Sequence, residues 1–139
     1  MKKALYIFLL FCFGCAGKKD DIMVTVKPIT SGSLQINGLP ADMLYQLNRD
    51  TITERWYTLM PVFKMPADAD LIDDQPEQPG TYKVAGNTIL FTPDTAFVKG
   101  QQYFLRFYHI EKGNSVWDLI GKNKVRPGTH THTDVIFTP

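Results

Sequence analysis

A chain of 139 residues has room for one domain and is short for two. With 44% apolar and 21% charged residues it is excluded from the disordered and collagen-like classes. Its formal charge is +1, from 15 basic and 14 acidic residues, so it carries no basic excess.

The N-terminus reads Met1-Lys2-Lys3, then an apolar run over Ala4–Phe13, then Gly14-Cys15-Ala16-Gly17. A basic start, about ten apolar residues and a small-residue end form a secretory signal. The run is too short for a membrane-spanning helix, which takes roughly 20 residues. Gly14-Cys15 resembles the core of the bacterial lipobox, although Cys12 and Phe13 stand where that family has leucine and a smaller residue. The resemblance implies cleavage before Cys15 and lipidation of its sulfur, giving residues 1–14 as signal peptide and 15–21 as lipidated cysteine and tether. Losing Lys2 and Lys3 leaves 13 basic residues against 14 acidic ones. Nucleic acid is therefore not expected as a partner, because neutralising phosphates needs clustered Lys and Arg. The expected partners are the membrane, through the anchor at Cys15, and an envelope protein or glycan.

Lys18-Lys19-Asp20-Asp21 has two readings. It resembles the Lys-plus-acidic export tag of outer-membrane lipoproteins displayed at the cell surface, and it is also what a solvated tether looks like. Both cysteines, Cys12 and Cys15, lie in or beside the signal, so a disulfide is not expected in the remainder.

Residues 22–139 are expected to form one β-sandwich. Aromatic residues are abundant (Phe 9, Tyr 6, Trp 2), which favours pleated, half-buried strands. Short runs rich in β-branched and aromatic residues predict strands at Ile22–Lys27, Ser33–Asn37, Trp56–Lys64, Tyr82–Ala85, Thr88–Thr92, Gln102–Glu111 and Asp134–Thr138. A short helix is expected at Ala41–Asn48. Gly86-Asn87 between two of these runs predicts a tight hairpin. The run Tyr103–Ile110 is apolar on both alternating faces, so it should be central, or covered on its second face by a long loop. Tyr103, just after the turn at Gly100, is placed to return its hydroxyl upstream as a tyrosine corner.

The C-terminal half resembles the S-layer-type bacterial Ig-like domains. The resemblance rests on Ile89-Leu90-Phe91-Thr92-Pro93, on Ala96, Gly100 and Tyr103, on Val116-Trp117-Asp118-Leu119-Ile120-Gly121-Lys122-Asn123, and on Val135-Ile136-Phe137-Thr138-Pro139. It covers residues 80–139 and implies an Ig-like antiparallel β-sandwich of about seven strands.

Three segments bear on chemistry. His130, His132 and Asp134 would share one face of a strand, a donor set that suits zinc or copper; the same alternation with Thr131 and Thr133 also makes a polar outer face. The acidic, Pro-rich segment 66–77 lacks the glycine and glutamate of an EF-hand loop and reads as a solvated loop, though long loops on sandwiches often bind. Trp56 is expected in the core, while Trp117 could lie in the core or on a binding surface. No catalytic motif is found, so neither an enzyme nor a cofactor is expected. The leading expectation is a non-enzymatic envelope lipoprotein serving binding, adhesion or spacing. A metal-binding module using His130 and His132 is the alternative.

Overall fold

The computed structural model describes residues 22–49, 54–109 and 131–139. Strands β1 (Thr25–Pro28) and β2 (Leu34–Asn37) precede helices α1 (Ala41–Arg49) and α2 (Glu54–Leu59). Strand β3 (Val62–Lys64) leads through a 3-10 helix at Ala69–Asp74 to β4 (Gly80–Ala85). The remaining strands are β5 (Thr88–Pro93), β6 (Tyr103–Tyr108) and β7 (His132–Phe137). All pairings are antiparallel, in one sheet of order β1-β2-β5-β4 and another of order β3-β6-β7. Among the described residues the fold is mostly β, with the expected two antiparallel sheets and seven strands, and apart from Trp56–Lys64 the strand limits move by a few residues.

The period of two along each strand builds the core. Leu34, Ile36, Ile89 and Phe91 from the first sheet meet Val62, Tyr103, Leu105, Phe107 and Phe137 from the second in one buried cluster. Each fully buried side chain of this kind contributes about 1.5–3 kcal/mol relative to exposure. Helix α1 closes one flank of the cluster with Met43, Leu44 and Leu47. Asp42 in its first turn and Arg49 in its last complement the helix dipole.

The expected strand Trp56–Lys64 is corrected. Its first part is helix α2, and only Val62–Lys64 is extended. Trp56, Leu59 and Met60 are all buried, and their i, i+3, i+4 spacing puts them on one helical face. Pro61 then disfavours helical geometry at the residue before it and starts the strand. Trp56 stacks on Tyr82 at 5.5 Å with the rings nearly parallel, so it is a core residue as expected. The Tyr57 hydroxyl docks α2 on β4 by donating to the Gly80 carbonyl and accepting from the Gly80 amide at 2.7 Å. A Cβ on Gly80 would come within 2.6 Å of the Phe91 ring, so this close approach requires glycine.

Between β4 and β5 the chain turns on Gly86 and Asn87, with Ala85 opposite Thr88 and Gly86 at φ +63°. The register puts Thr25, where the described sandwich begins, at the same end as this hairpin. The loops 65–79 and 94–102 lie at the opposite end, beside Gly80 and Pro93. Across the second loop the Val98 amide donates to the Tyr103 hydroxyl at 3.0 Å, which is the expected tyrosine corner. Among the described residues no helix is long and apolar enough to cross a membrane.

Tyr103→Phe removes the partner of the Val98 amide while keeping the ring. The variant should lose about 1 kcal/mol of stability and melt roughly 4 °C lower, measurable by thermal circular dichroism. An unchanged melting temperature would show that the corner contributes no stability.

Candidate functional site

Strand β6 directs Tyr103, Leu105 and Phe107 into the core and the alternate residues outward. Phe104 and Arg106 on that outer face are nevertheless buried, Arg106 at 7% exposure. Segment 65–79 covers them. It bridges back to β3 at Phe63 and Glu77, and the Gln78 amide donates to the Val62 carbonyl at 2.7 Å. Phe63 stacks on Phe104 at 5.0 Å, and the Arg106 guanidinium lies 5.9 and 5.4 Å from those two ring centres. The expectation that a long loop covers the second face of this strand is met.

Arg106 is the polar centre of the cover. Its Nε and Nη2 donate to the two oxygens of Asp134 on β7 at 2.8 and 2.9 Å. Nη1 donates to Asp73 of the 3-10 helix at 2.7 Å. The two bonds to Asp134 first, and the one to Asp73 after them, outweigh desolvation and hold the guanidinium still more firmly protonated than an ordinary arginine. The acidic segment is therefore not simply a solvated loop. Asp68 and Asp70 face water, but Asp73 reaches the buried cation and ties the segment to the sheet. The fork is fully engaged by carboxylates, which makes it a latch rather than a seat for an anionic substrate.

The same geometry bears on the metal reading. His132 and Asp134 do share a face, with Nε2 and Oδ1 3.9 Å apart. Both Asp134 oxygens, however, already accept from Arg106. Among the described residues no three His, Cys, Asp or Glu side chains gather as metal ligands. His130, Trp117 and the rest of 110–130 lie outside the described residues, as do Cys12 and Cys15.

The latched loop also forms one wall of an open cleft of about 490 Å³. Lys64, Gln75, Gln101 and Gln102 line it with the chain from Met65 to Ala67. The Gln75 amide donates to the Leu71 carbonyl at 2.9 Å. That of Gln101 donates to the carbonyls of Met65 and Gln102 at 3.3 and 3.0 Å. The sequence reading singled out neither Arg106 nor these glutamines. An arginine inside Tyr103-Phe104-Leu105-Arg106-Phe107-Tyr108 was the available signal, since a charge in a strand apolar on both faces must find a partner. The glutamines carry no such signal, because their convergence depends on two loops meeting.

Comparison with protein-family models, with curated proteins and with solved structures finds no match for this chain.

The two arms of the latch should differ in weight. Arg106→Met leaves Asp134 half-buried without its cation and should cost about 3 kcal/mol or more. Asp73→Ala removes an exposed partner and should cost about 0.2–1 kcal/mol. Urea denaturation of both variants checks the ranking, and equal losses would contradict it.

Partial burial raises the Glu77 carboxyl above its ordinary value. A raised carboxyl holds its proton more tightly in the folded state. Its contribution to stability is present below the ordinary pKa and is lost as pH rises through the folded-state value. Glu77→Gln should therefore melt higher than the wild type at neutral pH, and the advantage should vanish below about pH 4. Paired melting curves at the two pH values test the sign.

Proposed function

We propose that the chain is a non-enzymatic bacterial lipoprotein, anchored to the outer membrane by lipid on Cys15, whose Ig-like domain binds, adheres to or spaces components of the cell envelope. One observation carries the Ig-like part. Lettered in chain order, β1-β2-β5-β4 and β3-β6-β7 read ABED and CFG, the strand order of constant-type Ig domains. The corner at Tyr103, opening the sixth strand, supports the same reading.

The address rests on the basic start, the apolar run and Gly14-Cys15. Several acyl chains on one residue anchor stably, since each buried CH₂ contributes about 0.8 kcal/mol and a single chain is marginal. Lys18-Lys19-Asp20-Asp21 supports display at the cell surface. Arg106, Asp73 and Asp134 are engaged with one another, so that cluster serves to hold a loop in place. Measurable hydrolytic turnover by the purified protein would overturn the non-enzymatic reading.

Cys15→Ser should abolish incorporation of labelled palmitate and leave the signal largely uncut, because only a thiol accepts the thioether-linked diacylglycerol. Cys12→Ser should incorporate label like the wild type, because that residue leaves with the signal. Label persisting in Cys15→Ser, or lost in Cys12→Ser alone, would overturn the cleavage assignment.

A further inference from the structure

We infer that the cleft between loops 65–79 and 94–102 is a binding site for a neutral oligosaccharide. The inference deepens the binding role proposed above and names its site and ligand class. Gln75 and Gln101 have their amide nitrogens engaged by main-chain carbonyls, so each offers Oε1 as an acceptor held in a defined direction. Lys64 adds an exposed ammonium donor, and Gln102 an exposed carboxamide that both donates and accepts. Sugar hydroxyls donate and accept at one atom, so they satisfy this mixture without a formal charge.

The surroundings narrow the class further. Among the described residues no carboxylate lines the cleft, and the one charge on its lining, Lys64, is outnumbered by Asp68, Asp70 and Asp74 exposed on the adjoining loop, which weakens its pull on an anionic ligand. A peptide adding to the sheet needs an unpaired strand edge. Here the neighbouring main chain is already paired. Phe63 bridges to Glu77, Gln78 donates to Val62, and the Met65 amide donates to the Gln102 carbonyl at 2.9 Å. A volume near 490 Å³ falls within the usual range for ligand sites, about 300–1,000 Å³. The cleft also lies at the end of the sandwich opposite Thr25. A chain tethered at Cys15 would carry it about one strand length, roughly 20 Å, beyond the point where the tether enters.

The test uses the full chain in detergent micelles, titrated with maltohexaose, cellohexaose and hexa-N-acetylchitohexaose, with oligogalacturonate as the acidic comparison. Saturation-transfer NMR detects binding and calorimetry measures it. At least one neutral oligosaccharide should bind, and the Lys64→Ala/Gln102→Ala double variant should bind it at least roughly tenfold more weakly with an unchanged melting temperature. The control Lys83→Ala, on β4, should bind as the wild type does. Absence of binding by all three neutral probes, preference for oligogalacturonate, or undiminished affinity in the double variant would overturn the inference. The titration does not require lipid on Cys15, so a negative palmitate experiment and a negative titration are distinguishable failures.

Discussion

Strand β6 is buried on both faces, and the rest of the molecule is arranged around that constraint. Its inner residues, Tyr103, Leu105 and Phe107, lie in the core between the sheets. Its outer residues, Phe104 and Arg106, lie under segment 65–79. A strand covered on one side only could leave a guanidinium in water. Covered on both, it must supply that cation with carboxylates, and Asp134 and Asp73 do so from a neighbouring strand and from the covering loop. The polar cluster and the apolar stack of Phe63 on Phe104 are thus two parts of one seal.

That seal has a mechanical consequence for the end of the sandwich. The segment between β3 and β4 runs beside β3, which shields the outer edge of that strand from pairing with another chain. It is held by Asp73 in its middle and by Gln78 near its end. A loop fixed at these points presents Gln75 in one position, facing Gln101 and Gln102 from the loop between β5 and β6. That second loop is braced by the Tyr103 hydroxyl and by the Gly100 amide, which donates to the Pro139 carbonyl. Two fixed loops make a preformed cleft, which lowers the ordering cost of binding.

The side of the sandwich where α2 and the start of β3 meet β4 is stabilised by aromatic packing. Trp56, Tyr57 and Tyr82 pack against each other while two tyrosine hydroxyls bond main-chain groups of Gly80 and Met60. Burial first, and then the neighbouring Tyr57 and Glu77, push the Tyr82 hydroxyl well above its ordinary pKa, so it remains a donor to Met60. With both cysteines confined to positions 12 and 15, these rings and the inter-sheet core carry the stability that disulfides supply in many small exported domains.

The amino-acid sequence by itself determined the class of the fold. Alternation of apolar residues with a period of two, the Gly86-Asn87 turn and the tyrosine after Gly100 are local signals, and each corresponds to an observed strand, hairpin or corner. It also showed that β6 needed cover on both sides. It misread Trp56–Lys64, because the aromatic content of Trp56 and Tyr57 favours strands as strongly as the spacing of Trp56, Leu59 and Met60 favours a helix, and burial against Tyr82 decided between them. Which carboxylates close the latch, and where the cleft opens, belonged to tertiary structure alone. Asp73 and Arg106 stand 33 residues apart, Gln75 and Gln101 nearly as far. Both depend on how segment 65–79 folds back over β6 and beside the loop 94–102, and no period or motif along the chain encodes that meeting.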